Sequence, residues 1–152
     1  MESVTRRNFI RTGAAAAVGM SVVPKTAFSA LNEAQPVRVG VVGTGNRGTS
    51  HVNALLTIEG VEITAVCDLF EDRAVNASGI CRKAGRKSPA VYSGDSEKYR
   101  EMLGREKLDA VIIATYWDSH TAIALEAMKN GTRPGIEVPA SLTVDDTWNL
   151  VE

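Results

Sequence analysis

The feature that most constrains the fold of this chain is an alternation of short β-branched runs with longer amphipathic runs, beginning at Val37. This alternation is typical of parallel β–α–β units, so the predicted fold class is α/β, a doubly wound parallel sheet. Residues 108–115 form the most apolar run, and we expect them to be a central strand covered on both faces. Asp95 and Thr143 are predicted helix N-caps, and Gly104 is predicted to end the helix that Asp95 begins. The predicted strands cover residues 37–42, 61–67, 90–92, 108–115 and 135–138, and the predicted helices cover residues 46–58, 71–84, 96–103, 119–129 and 144–152.

Composition excludes several classes of protein and of partner. The 152 residues are 44% hydrophobic and 23% charged, which excludes collagen, coiled coil and wholesale disorder. Seventeen Lys and Arg against 18 Asp and Glu leave a net charge of -1, so we expect no nucleic acid as a partner. Cys67 and Cys81 are too few for a disulfide framework and fit no zinc pattern, so we expect buried free thiols and no metal.

The charge pattern at the N-terminus predicts an export signal. Arg6, Arg7 and Arg11 precede residues 12–24, which carry no charged side chain. That run is too short and too weakly apolar to span a bilayer, so we expect no stable membrane anchor. An ordinary amphipathic N-terminal helix is the alternative interpretation.

A motif within this segment points to one export route. Residues 5–11 resemble the bacterial twin-arginine motif, in which paired arginines are followed by an aromatic, an aliphatic and a basic residue. The resemblance implies a signal peptide over residues 1–29, a linker over residues 30–36, and the twin-arginine export machinery as a partner. The expected localisation is therefore exported, either periplasmic or secreted.

A glycine-rich turn follows the first predicted strand and opens the first predicted helix. Gly43, Gly45 and Gly48 match the pattern G-x-G-x-x-G. The first glycine permits a tight turn, the second lets the backbone approach a diphosphate, and the third allows close packing of helix on strand. The helix N-terminus then offers its free N–H groups to the anion. This context predicts a dinucleotide-binding domain of the Rossmann type, covering residues 37–152.

An acidic residue indicates which dinucleotide is bound. Asp68 lies 20 residues beyond Gly48, directly after the second predicted strand, where a carboxylate can accept hydrogen bonds from an adenosine ribose. Because an acid there repels a 2′-phosphate, we expect NAD rather than NADP, with flavin as a minor alternative. Arg47 would either bind a phosphate or cover the loop. The competing interpretation is that the glycines serve only a tight turn.

Polar and aromatic side chains follow two further predicted strands. Parallel α/β sheets bind ligands at the carboxyl ends of their strands, so we expect both segments to face the cofactor. His120 could instead be a helix-start residue without chemistry, and Trp117 a packing residue. These segments are Thr115-Tyr116-Trp117-Asp118-Ser119-His120 and Glu137-Val138-Pro139.

The order of these motifs resembles that of a known family. Residues 37–152 resemble the cofactor domain of the Gfo/Idh/MocA oxidoreductases, which carry the glycine loop, a polar strand end before a His, and a Glu-Lys-Pro motif. This sequence has Val138 where that motif has its lysine. The resemblance implies that an α+β substrate domain follows in the relatives, so the catalytic residues and any homo-oligomer contacts are expected beyond this chain.

The departure at Val138 is itself similar to one branch of the family. Residues 137–140 and 143–148 are similar to motifs of glycoside hydrolase family 109, although Ser141 differs. The similarity implies NAD-dependent α-N-acetylgalactosaminidase activity on a small sugar or glycan. Carried over position by position, it implies NAD contacts from Asn46, Arg47, Asp68, residues 117–120, Glu137 and Val138.

The implied reaction oxidises the sugar at C3, eliminates the C1 substituent, adds water and reduces C3 again, so NAD can remain bound. His51 is not expected to be the base, because it lies on the helix behind the glycine loop. Two other functions remain open: an NAD-dependent sugar or polyol dehydrogenase, and a non-catalytic NAD-binding module.

Overall fold

The computed structural model describes residues 35–151. The predicted signal peptide and most of the predicted linker lie outside the described residues. The strands are β1 (Val37–Val42), β2 (Val61–Asp68), β3 (Ala90–Ser93), β4 (Ala110–Ile113) and β5 (Arg133–Ile136). The helices are α1 (Asn46–Leu56), α2 (Glu71–Lys83), α3 (Lys98–Arg105), α4 (His120–Lys129) and α5 (Val144–Asn149), with a 3-10 turn over Trp117–Ser119.

The five strands form one parallel sheet in the order β3-β2-β1-β4-β5, which confirms the predicted fold class. The order reverses between β1 and β4, the point at which open α/β sheets bind ligands. β1 is the middle strand, and the highly apolar β4 lies beside it in the interior of the sheet, as predicted for residues 108–115, although β4 is limited to Ala110–Ile113. Apolarity reports that a strand is covered on both faces, and β1 and β4 share that property, so it does not identify the centre.

Helices cover both faces of the sheet. Successive strand residues point to opposite faces, so Val41 packs with α1 and α2 on one face while Val42 packs with α3 and α4 on the other. Cys67 and Cys81 are both buried and free, and they belong to these two different clusters. The sheet therefore separates the two thiols.

The helix around residues 98–105 begins and ends later than its sequence indicates. Asp95 is not its N-cap, because the Asp95 carboxylate accepts a 2.8 Å hydrogen bond from the backbone N–H of Glu97 in a turn before the helix. Gly104 does not end it, and α3 continues to Arg105. Gly104 lacks a positive φ angle, which is what favours glycine at a helix end.

The last strand and the last helix also differ from the predicted bounds. β5 begins at Arg133, two residues earlier than predicted, and includes Pro134 because an edge strand tolerates a missing N–H. Thr143 caps α5 as predicted, accepting a 3.1 Å hydrogen bond from the N–H of Asp146. α5 ends at Asn149. Within residues 35–151, none of the helices combines the length and the apolar character needed to cross a bilayer.

A bidentate ion pair joins the start of β1 to the segment entering β4. The Arg38 guanidinium donates to both carboxylate oxygens of Asp109 at 3.0 and 3.1 Å, and the Arg38 backbone N–H donates to one of them at 2.8 Å. These hydrogen bonds lower the pKa of Asp109 to about 2. The pair fixes the register between two strands whose opposite ends form the candidate site.

Replacing Asp109 by Asn should therefore lower the midpoint of thermal unfolding at neutral pH. Because the native pKa is depressed, the contribution of the carboxylate is present above the unfolded value of about 3.9 and is lost as the pH falls through about 2. The difference between wild type and variant should shrink over that interval. The control is Glu59→Gln, at an exposed position without an ion pair among residues 35–151. A difference in the unfolding midpoint between wild type and Asp109→Asn that persists at pH 2 would contradict this account.

Candidate dinucleotide-binding site

The carboxyl ends of the strands border a cleft of about 360 Å³. It lies beside the point at which the strand order reverses, the usual ligand position in open α/β sheets. Its walls come from the loops after β1, β2, β3 and β4. Among the residues that line it are Gly45, Asp68, Phe70, Arg73, Tyr116 and Ser119.

Two positions must be glycine because the turn packs closely against its own backbone and against the residue after β4. Gly43 has a φ angle of +83°, and a Cβ there would lie 2.6 Å from the carbonyl oxygen of Ala114. A Cβ on Gly48 would lie 1.7 Å from the carbonyl oxygen of Gly43. Helix α1, the turn and the end of β4 therefore contact one another through backbone atoms.

Gly45 is different, because nothing in the protein requires a glycine there. A Cβ at this position would meet only Arg73 Nη1, at an ordinary distance of 3.6 Å, and its φ angle of −64° suits any residue. Gly45 lines the cleft, so the missing side chain leaves space for a ligand. This is the geometry that lets a backbone approach a diphosphate, and the turn fits that group.

The N-terminus of α1 is open to an anion. Its N-cap residue, Gly45, makes no side-chain hydrogen bond, and its first turn contains no acidic residue. The first N–H groups of a helix lack partners within the helix, and together they attract negative charge. Asn46 is the first residue of this helix, and its side chain is exposed.

Asp68, the last residue of β2, is bound to the glycine turn. One carboxylate oxygen accepts hydrogen bonds from the backbone N–H of Thr44 at 2.6 Å and from its hydroxyl at 3.2 Å. The other accepts from the N–H of Phe70 at 2.9 Å, and Asp68 is only 7% exposed. A carboxylate has about four acceptor positions, so roughly one remains for a ribose hydroxyl. Asp68 thus shapes the turn as well as bordering the cleft.

Arg47 and Glu137 form a second charged group with His51. Glu137 Oε1 accepts from Arg47 Nε at 2.6 Å and lies 2.5 Å from His51 Nε2. The hydrogen bond from Arg47, followed by that from His51, lowers the pKa of Glu137. None of the three lines the cleft. In this structure Arg47 links α1 to the loop after β5 through Glu137.

The segment after β4 is divided between the cleft and the interior. Asp118 and Ser119 line the cleft, while Trp117 is 62% exposed. His120 is fully buried, with its ring nitrogens 2.8 Å from the carbonyl oxygen of Pro139 and 3.1 Å from that of Thr115. The structure thus places His120 in the interior, where it contacts the segment after β4 and the loop after β5, and not among the residues that line the cleft.

Val138 follows β5 and is 80% exposed, so it offers an apolar surface and no titratable group. The sequence interpretation assigned no role to Thr44, Phe70 and Arg73, which hold Asp68 or line the cleft. Tyr116 also lines the cleft, and it lies in the segment that was expected to face the cofactor. Only Arg73 carried a usable signal, because it places a cation in the first turn of a helix, where acidic residues are favoured.

Gly45→Ala should leave the stability of the protein nearly unchanged while weakening NAD binding at least about tenfold, about 1.4 kcal/mol, because the new Cβ occupies the ligand space. Calorimetric titration and thermal unfolding measure the two effects. Gly79→Ala is the matched control: it lies inside α2 with nothing within 4 Å of the added Cβ. The control should stabilise by about 0.5–1 kcal/mol with unchanged NAD affinity. Equal affinity of Gly45→Ala and wild type would contradict the assignment.

Comparison with known proteins agrees with this geometry. The curated relatives include a glycosyl hydrolase family 109 protein of Saccharopolyspora erythraea, 38% identical over 97% of this chain and 36% of its own length. An α-N-acetylgalactosaminidase of Shewanella oneidensis is 36% identical over all of this chain and 37% of its own length. The chain therefore spans just over a third of the length of these curated relatives.

Solved structures with the same fold include a polyol dehydrogenase and a sugar-nucleotide dehydrogenase. Myo-inositol dehydrogenase from Lactobacillus casei, in complex with NAD(H) and myo-inositol, has a TM-score of 0.65 and 28% identity over 76% of this chain and 32% of its own. UDP-N-acetylglucosamine 3-dehydrogenase from Acidithiobacillus ferrooxidans has a TM-score of 0.59 and 26% identity over 76% of this chain and 34% of its own.

A family model described as an oxidoreductase family with an NAD-binding Rossmann fold matches residues 37–152, which include all five strands and the glycine turn. The cofactor of such a domain is NAD, as the turn and Asp68 predicted. The chain belongs to the Gfo/Idh/MocA oxidoreductase family.

Proposed function

We propose that this chain supplies the NAD-binding part of a glycosidase that acts on terminal α-N-acetylgalactosamine. The observation that carries the proposal is the 36% identity, over the whole chain, with a curated relative named as an α-N-acetylgalactosaminidase. The sugar-bearing substrate is proposed on the same ground.

The residues of this chain bind and orient the cofactor. The backbone of the turn and the free N–H groups of α1 hold the diphosphate, and Gly45 leaves the space for it. Asp68 orients the adenosine ribose through its remaining acceptor position. Bound NAD would supply the hydride acceptor for oxidation at C3 of the sugar and, after elimination at C1 and addition of water, the hydride donor that restores C3.

Oxidation at C3 is supported by a neighbour in the same fold. The protein from Acidithiobacillus ferrooxidans is named a 3-dehydrogenase of UDP-N-acetylglucosamine, an amino sugar. A ketone at C3 acidifies the proton at C2, and loss of that proton expels the group at C1. This route does not need the pair of carboxylates that usually flanks a glycosidic bond.

Proton transfer is not assigned to any residue of this chain. Val138 has no titratable atom, in contrast to the lysine of the dehydrogenase motif. His51 contacts Glu137 through its ring nitrogen Nε2, and it does not line the cleft. We therefore propose that the catalytic acid and base come from protein outside these residues.

The alternative is an NAD-dependent sugar or polyol dehydrogenase with net hydride transfer. It is favoured by the 28% identity and close structural match to a myo-inositol dehydrogenase. Val138 argues against it, because a dehydrogenase would use a titratable group at this strand end to move the proton of the carbinol.

The protein purified from its native host, incubated with NAD and p-nitrophenyl α-N-acetylgalactosaminide, should release nitrophenol without accumulating NADH, because the hydride is returned. Absorbance of nitrophenol and of NADH measures both quantities. Accumulation of NADH with free sugars would overturn the glycosidase in favour of the dehydrogenase. If neither product forms but NAD binds, the protein is a non-catalytic module.

We also propose that the protein is exported through the twin-arginine pathway, with the motif at residues 5–11 as the support. Residues 1–36 fused to a reporter that is active only after export should direct it out of a bacterial host. Arg6→Lys with Arg7→Lys should abolish export because it removes the arginine pair of the motif, whereas Arg11→Lys should retain export because the residue stays basic. Export in a host lacking the twin-arginine translocase would contradict the proposed route.

A further inference from the structure

We propose that Arg73 binds the diphosphate of the dinucleotide at the glycine turn, an inference that rests on the NAD site described above. Arg73 is the third residue of α2, and its exposed side chain lines the cleft. Its Nη1 atom lies 3.6 Å from the position that a Cβ of Gly45 would occupy. The guanidinium is therefore beside the space through which the turn approaches its ligand.

The Arg73 side chain is held in place without being neutralised. Its Cζ atom lies 4.5 Å from the centre of the Phe70 ring, a cation–π contact that orients the planar group. Within residues 35–151, Arg73 forms no ion pair with a carboxylate. A guanidinium in this state retains donors for phosphate oxygens, which it can bind in a bidentate arrangement.

The charge of the cleft gives a reason for a cation at this position. Three carboxylates line it, those of Asp68, Asp95 and Asp118, and Arg73 is the only Lys or Arg side chain among its described lining residues. A diphosphate adds further negative charge to this group of acids. Arg73 offsets that repulsion beside Gly45 of the glycine turn.

The position of Arg73 in its helix is unfavourable for the free protein. Glu71 and Asp72 complement the positive N-terminal end of α2, while Arg73 adds a cation to the same turn. Arg73 is therefore an exposed cation that opposes the helix dipole and has no ion pair within residues 35–151. A negatively charged ligand bound at this place explains the position of this cation. Removing the charge should not destabilise the fold.

Titration of the 152-residue chain with NAD, ADP and NADP by calorimetry tests this assignment. Arg73→Gln should weaken NAD and ADP binding by similar factors of about tenfold or more, since a charge-assisted bidentate contact is lost. The affinity should also depend less steeply on salt concentration, and Arg73→Lys should restore part of it. The thermal midpoint without ligand should stay the same or rise. Arg82→Gln, an exposed arginine in the last turn of α2, is the control with unchanged affinity.

Other outcomes overturn the assignment in distinguishable ways. Weakened binding of NADP alone would place Arg73 at a 2′-phosphate, and weakened NAD binding with unchanged salt dependence would make it a stacking partner of adenine. Unchanged affinity would leave it a surface residue packed on Phe70. Failure of the wild-type chain to bind NAD would overturn the cofactor role in the proposed function as well.

Discussion

The site depends on a turn whose backbone atoms pack directly against one another, which leaves no room for a side chain at Gly43 or Gly48. Gly43 and Gly48 are in direct contact, and Gly43 also packs against the carbonyl of Ala114 at the end of β4. The N–H of Thr44 in the same turn donates to Asp68 at the end of β2. Three neighbouring strands thus meet at one small turn, and a side chain added at either glycine would separate them. Gly45 is the glycine of this turn that leaves free space toward the cleft.

Two groups of charge lie at the carboxyl edge of the sheet, and they have different surroundings. Asp68 and Arg73 border the cleft, where their charges act on a ligand. Glu137 is outside the cleft and is matched by Arg47 and His51, which connects α1 with the loop after β5. The first group offers recognition of a dinucleotide, and the second maintains the arrangement of the loops around it. Neither group contains a residue placed to transfer a proton to or from a sugar.

Much of the fold was predictable because it follows from local rules. Within residues 35–151, the alternation of apolar runs identified the five strands and the five α-helices, and the hydroxyl of Thr143 caps α5 as its sequence context indicated. The bounds were less accurate where two local preferences compete. Asp95 forms a turn instead of the helix cap, and Pro134 enters β5 because that strand is at the edge of the sheet.

The sequence by itself determined the glycine turn, the acid that follows β2 and the order of the elements, because backbone sterics and hydrophobic periodicity act over a few residues. Only the tertiary structure decided that β1 is central, that His120 is buried between two carbonyls and that Arg73 reaches the side of Gly45. Each of these depends on segments that are distant in the chain and adjacent in space. No local pattern contains that information, because each contact arises only when the parallel strands pair and bring their carboxyl ends together.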